Sequence, residues 1–207
     1  MRLLVIGCLL VAAAIWILAV RSGPATAEAP PAEGLQTAVF AGGCFWCVEA
    51  DYDKLDGVKA TISGFAGGDV PNPMYKQVTG GGTGHYEVVE VAYDPDEVSY
   101  RELVDYFWRH IDPLDDGGQF CDRGESYKTA VFVADDRQRA AAEASKQAAE
   151  AELGEPFVTE ILDLDGFYAA EDYHQDYYLK NPVRYRYYRT VCGRDRRVKA
   201  LWGGGAG

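Results

Sequence analysis

The stretch Gly42-Gly43-Cys44-Phe45-Trp46-Cys47 constrains this chain more than any other. The apolar run Ala38-Val39-Phe40-Ala41 leads into it and reads as a buried strand, after which two glycines let the backbone turn sharply. From Cys44 the period changes. Val48, Tyr52 and Leu55 recur at helical spacing, and Gly57 follows as a stop. A thiol is thereby placed where a strand hands over to a helix. Unpaired N–H groups and the positive end of the helix dipole favour an anion there. The expectation is a Cys44 thiol acidified from about 8.5 toward roughly 3.5–7.5. Cys47 is one turn further along the same face, close enough to Cys44 for a disulfide with little chain movement. On the spacing alone, a structural disulfide or two buried thiols is the competing reading. Phe45 and Trp46 tilt the balance, because two large aromatics at such a turn make an apolar wall for a small substrate.

Residues 1–27 read as a secretory signal or an uncleaved amino-terminal membrane anchor. Met1-Arg2 is followed by an apolar run from Leu3 to Val20, then Arg21 and the small residues Ala25-Thr26-Ala27. The run is long for a signal and short for a span, which needs about 20 residues. Either way the rest is expected to be exported, periplasmic or membrane-anchored facing outside the cytoplasm. Residues 28–36, with Pro30 and Pro31, read as a linker, residues 37–202 as one domain and residues 203–207 as a disordered tail. The net charge of -12 argues against nucleic acid and anionic membrane surfaces as partners. Lys180 to Lys199 nonetheless gathers many of the cations, expected as a solvated face or as ion pairs with the acidic body. With Cys8 in the leader set aside, Cys44, Cys47, Cys121 and Cys192 are compatible with two disulfides whose pairing stays open.

Beyond the Cys44 helix, Val58 to Phe65 alternates as a strand and Ala66 to Gly84 is a long loop with Tyr75 in its middle. His85 to Tyr93 is the strongest strand. Each of its faces is largely apolar and carries one glutamate, Glu87 or Glu90. A carboxyl buried there would have its pKa raised and stay protonated near neutral pH. Ser99-Tyr100-Arg101-Glu102 is a capping box that opens a helix to about His110. Ile111 to Ser126 is a second irregular loop, holding Cys121 and Asp122. Then come a strand from Tyr127 to Val133, an alanine-rich helix capped by Asp135 and stopped at Gly154, a strand from Phe157 to Leu164, and a helix from Tyr168 to Lys180 ended by Asn181-Pro182. This order predicts an α+β fold, a layer of helices on a mixed β-sheet.

Gly43-Cys44-Phe45-Trp46, Pro71-Asn72-Pro73-Met74-Tyr75, Thr83-Gly84-His85-Tyr86-Glu87, and Asp122 five residues before Tyr127 resemble the ordered motifs of the peptide methionine sulfoxide reductase A family. The resemblance runs from about Val39 to Trp202 and takes in Asp172-Tyr173-His174-Gln175 and Gly193-Arg194-Asp195. It implies a two-layer α+β sandwich of ferredoxin-like character. It also implies that Cys44 is the nucleophile on the sulfoxide sulfur and that Phe45 and Trp46 hold the substrate methyl group. Glu87 would protonate the sulfoxide oxygen, Tyr75 and Tyr127 would hydrogen-bond to it, and Asp122 would join the same polar network. The implied activity is reduction of methionine S-sulfoxide, free or in proteins, with a thioredoxin-like thiol reductant as co-substrate and no metal or organic cofactor. A monomer is expected.

The sulfenic acid formed at Cys44 must be resolved by a second thiol. Cys47 is the candidate from its spacing, Cys192 is the rival because it precedes Gly193 in a segment that could reach the site, and Cys121 is a third. The sequence departs from the family pattern at Cys47, where glycine is frequent, and its glycine-rich tail offers no cysteine. The competing enzyme reading is an exported thioredoxin-like CxxC disulfide oxidoreductase. The non-enzyme reading is a binding domain with two structural disulfides. His85, His110 and His174 read as hydrogen-bonded structural residues, and a zinc site joining the Cys44 pair to Cys121 or Cys192 lacks the tight spacing such sites show.

Overall fold

The structure, a computed structural model, describes residues 34–203. The proposed leader, most of the linker and the tail beyond 203 lie outside the described residues. The chain begins with β1 (Gln36–Gly42), turns at Gly43 and enters α1 (Phe45–Tyr52). β2 (Val58–Ala66), α2 (Tyr75–Thr79), β3 (Tyr86–Tyr93) and α3 (Tyr100–Trp108) follow. A small hairpin of β4 (Gly118–Gln119) and β5 (Asp122–Arg123) leads through a 3-10 turn at Glu125–Tyr127 into β6 (Thr129–Val133) and α4 (Asp136–Leu153). The chain closes with β7 (Glu160–Asp163), β8 (Phe167–Ala169), α5 (Tyr177–Lys180), α6 (Pro182–Cys192) and α7 (Arg194–Trp202).

The main sheet has the order β7-β6-β1-β3-β2-β8. β3 lies antiparallel between β1 and β2, β6 is antiparallel to β1, and among the described strands β7 alone pairs in parallel. Inserting β3 between the two strands that α1 connects gives the expected ferredoxin-like sandwich. Period-2 alternation assigns the faces. Ala38 and Phe40 of β1 join Val89 and Val91 of β3 in the large core beneath the helices, whereas Val39, Ala41 and Val88 enter a smaller apolar cluster. Glu87 shares the parity of Val89 and Val91, so the strand register carries it toward the α1 side of the sheet.

Both predicted caps form. The Ser99 hydroxyl accepts from Glu102 N–H and the Glu102 carboxylate accepts from Ser99 N–H, while Asp135 accepts from Gln138 N–H. The last part of the chain differs from expectation. Tyr168 to Lys180 is not one helix: its start pairs with β2 as the edge strand β8, and only Tyr177–Lys180 is helical. Its aromatic side chains pack around Trp46 instead of forming one apolar helix stripe. Pro182 begins α6 at its first position, where a missing N–H costs nothing, instead of ending the helical region. Within the two loops expected to be irregular sit α2 and the β4–β5 hairpin. The basic segment does form ion pairs, Arg189 with Asp51 at 2.8 Å and Arg197 with Asp112 at 2.6 Å, but Arg194 is buried instead of solvated.

Phe40 is fully enclosed, stacked on Tyr52 at 4.9 Å and on Phe107 at 5.2 Å between ring centroids. Phe40→Ala is therefore expected to cost about 3–5 kcal/mol, read as a lower urea midpoint at unchanged slope. Val183→Ala, at a position 83% exposed, should stay within about 0.5 kcal/mol of the parent. Comparable losses in both would contradict this placement of the core.

Candidate active site

The site is built at the end of β1. Gly43 has φ +80° and a Cβ placed on it would meet Gln119 at 2.4 Å, so glycine is required for the turn. Cys44 takes the N-cap position of α1. Its carbonyl accepts from Cys47 N–H at 3.0 Å, but its side chain makes no capping hydrogen bond. The first free N–H of the helix, that of Phe45, donates instead to Glu87 Oε2 at 3.0 Å. Arg194 fastens the turn from behind by donating to the Gly42 carbonyl at 3.1 Å.

Glu87 is 1% exposed. Burial pushes its carboxyl up to about 8, against the opposing pull of the Phe45 N–H, with Asp122 nearby raising it further. Near neutral pH Glu87 is thus a protonated acid. The Tyr127 hydroxyl lies near enough to the Glu87 carboxyl to lower its pKa, and Tyr127 acts in the same way on Tyr75. Burial drives Tyr75 up to about 12 and Tyr127 higher still, so both phenols stay protonated donors. Asp122 accepts a hydrogen bond from the Tyr188 hydroxyl, and burial raises its carboxyl above the usual range.

The apolar wall is an aromatic cluster. The Phe45 ring lies 6.1 Å from Tyr75 and 4.9 Å from His174. Trp46 stacks on Tyr177 at 3.7 Å and donates its Nε1–H to His174 Nδ1 at 3.0 Å. That bond fixes the imidazole with its proton on Nε2, as a buried structural histidine. His85 and His110 are likewise hydrogen-bonded, to Gly68 and Val70 and to Tyr106.

Cys44 and Cys47 are both free, buried thiols in contact with each other. The helix-terminus argument for an acidic Cys44 does not hold. Burial pushes the Cys44 thiol well up, and the neighbouring Cys47 and Glu87 add to this. The dipole end is occupied by Glu87, which accepts the N–H that would have served a thiolate. Cys47 is the thiol favoured as an anion, through the hydrogen bond from Cys44 and the cations Arg194 and Arg189. Cys121 and Cys192 are joined in a disulfide, Cα–Cα 4.9 Å. An Asp122 oxygen lies within 4.8 Å of both sulfurs, but sulfurs bonded to each other are poor ligands, and these three residues form no convincing metal centre.

All the predicted residues therefore converge except Cys121 and Cys192, which reach the site through the neighbouring Asp122 and Tyr188. Sequence reasoning missed Tyr188, Tyr177, Arg194 and Glu49. Glu49, on α1, is buried, accepts from Asp176 N–H at 3.2 Å, and is pushed up to about 7 by that burial. The only signal for Tyr188 was its helical spacing of four from Cys192.

The family described as peptide methionine sulfoxide reductase matches residues 36–204. Peptide methionine sulfoxide reductase MsrA 2 of Rhizobium meliloti (strain 1021) is 54% identical over 180 residues, covering 87% of each chain. The reduced form of Mxr1 from Saccharomyces cerevisiae superposes with a TM-score of 0.69 at 34% identity, over 72% of this chain and 87% of that one. A structure of Mxr1 in complex with Trx2 matches with a TM-score of 0.53 at 23% identity, over 73% of this chain and 91% of that one, and so speaks to the fold alone.

The raised Glu87 pKa makes a stability prediction. The folded state holds this proton up to about pH 8, whereas a carboxyl with the ordinary value of 4.5 loses it earlier. Stability from this group is full below the ordinary value and is lost as pH rises through the folded one. Glu87→Gln, which cannot ionise, is expected to gain in melting temperature relative to the parent between pH 6 and pH 9. A difference that does not change with pH would contradict the protonated assignment.

Proposed function

The chain belongs to the peptide methionine sulfoxide reductase family, and we propose that its reduction of methionine sulfoxide runs through Cys44 as nucleophile and Glu87 as acid. The observation that carries this reading is the buried, protonated Glu87 carboxyl bonded to the N–H of Phe45, the residue after Cys44. Attack of sulfur on the sulfoxide sulfur pushes charge onto oxygen, which departs only when protonated. Glu87 supplies the proton, with Tyr75 and Tyr127 as further donors to the same oxygen. Phe45 and Trp46 enclose the methyl group. In balance, thiol and sulfoxide become sulfenic acid and thioether. The sulfenic acid then condenses with a second thiol to give a disulfide and water. The substrate is the S epimer, free or within oxidised proteins, and the role is protein repair.

Cys47 is the resolving thiol in this reading, because it touches Cys44 and carries the more stabilised anion of the pair. Cys192 is bonded to Cys121 in the structure and must first be released to attack. The reductant in this reading is a thioredoxin-like dithiol, which can reopen a CxxC disulfide by thiol exchange. The apolar stretch at 3–20 supports export, with a reductant supplied outside the cytoplasm.

Cys44→Ser is expected to abolish sulfoxide reduction, since a hydroxyl without a general base cannot replace the sulfur nucleophile. Glu87→Gln should slow single-turnover methionine release by about 10²–10⁴, and release by the parent should fall as pH rises through about 8. Release unchanged in Glu87→Gln would move the acid role to Asp122 or a tyrosine. Cys47→Ser should release about one equivalent of methionine and stall with thioredoxin-type reductants, one oxidised thiol being left without its partner. Cys192→Ser should turn over nearly normally. The reverse pattern passes resolution to Cys192, and stalling in both makes the two thiols a relay.

A further inference from the structure

Tyr188 lies on α6, a helix none of whose residues is fully buried, yet it faces the reacting sulfur. Its hydroxyl donates to Asp122 Oδ2 and is close enough to the Cys44 thiol to act on its protonation. Its ring meets Trp46 edge-on, with centroids 5.9 Å apart and planes at 79°. Tyr75 and Tyr127 are engaged with each other and with Glu87, whereas Tyr188 is engaged with Asp122 and Cys44.

One hydroxyl carries one proton, so Tyr188 can donate to only one of its two neighbours at a time. While Cys44 is a thiol, the Tyr188 proton goes to Asp122, and the Cys44 S–H serves Cys47. Once Cys44 loses its proton, the sulfur becomes a charged acceptor, toward which the O–H can turn by rotation about its C–O bond. We propose that Tyr188 is a further catalytic residue, donating a hydrogen bond to the Cys44 sulfur as it becomes the nucleophile, with Asp122 holding the hydroxyl in place. This rests on the reading of Cys44 as nucleophile.

The position of Tyr188 is secured twice. Cys192 is one helical turn beyond Tyr188, and Cys121 immediately precedes Asp122. The Cys121–Cys192 disulfide and the Tyr188–Asp122 hydrogen bond therefore tie the same two segments side by side. A buried thiol whose pKa is raised by its surroundings has the most need of such a donor.

The test is peptide-resolved alkylation of Cys44 by iodoacetamide against pH, together with single-turnover methionine release. Tyr188→Phe removes the donor and keeps the ring. It should move the Cys44 alkylation midpoint up by roughly one to two pH units, as expected for a lost hydrogen bond to a charged group. Methionine release at a fixed pH below that midpoint should slow by about tenfold or more, each pH unit being a factor of ten in thiolate. Tyr187→Phe, at the neighbouring position that is 72% exposed, should change neither. Replacement of Tyr188 by 3-fluorotyrosine, a stronger donor of nearly the same shape, should move the midpoint down and decides the matter if Tyr188→Phe fails to fold. A midpoint unmoved in folded Tyr188→Phe or in the fluorinated protein, or an equal shift in Tyr187→Phe, overturns the inference. Absence of methionine release from the unaltered enzyme would instead overturn the parent reading.

Discussion

The hydrogen bond from Phe45 N–H to Glu87 is the interaction on which the site depends. It joins the first turn of α1 to the middle of the sheet, and it is made with the one kind of backbone group that a helix start leaves unpaired. A carboxyl 1% exposed would be costly if charged, and a single N–H does not offset that cost. The outcome is a carboxyl that keeps its proton near neutral pH. The same bond withholds the helix terminus from Cys44. One backbone donor thereby bears on both the proton of Glu87 and the resting state of Cys44.

The two thiols divide between them what a single acidified cysteine would do. Cys44 faces the phenols and Glu87 and is held as a thiol, while Cys47 lies toward Arg189 and Arg194 and is favoured as an anion. The two arginines are themselves held by Asp51, at 2.8 Å from Arg189 and 3.7 Å from Arg194. Arg194 also bonds the Gly42 carbonyl, so one cation supports both the turn and the second thiol. The aromatic wall is equally shared, since the stacking partner of Trp46 is Tyr177, far along the chain.

Much of this was legible in the sequence. The switch of period at Cys44 and the paired glycines placed a thiol at the strand-to-helix turn, and the alternation of β3 offered Glu87 or Glu90 as a buried carboxyl; the choice of Glu87 came with the family resemblance. Strand pairing then decided the burial of Glu87, and that required the order β1-β3-β2, which no local pattern states. The acidity of Cys44 was misjudged because a local rule about helix ends was applied without the buried carboxyl that occupies the end. Tyr188 and Arg194 escaped notice for a different reason. α6, which carries Tyr188, buries no residue completely and so shows no clear apolar period, while Arg194, at the start of α7, is a buried cation that an apolar pattern does not mark. The segment before it was misread as one helix because its aromatics serve the Trp46 cluster rather than a single helix face.

The central claim is that oxygen passes from substrate to Cys44 and that oxidation of this sulfur is resolved locally. A disulfide map of the fully reduced enzyme after one equivalent of methionine sulfoxide tests it most directly. The account predicts that a bond between Cys44 and Cys47 is the first to form, with Cys121–Cys192 appearing, if at all, only later. A first bond that leaves out Cys44, or that joins Cys44 directly to Cys192 or Cys121, would contradict it.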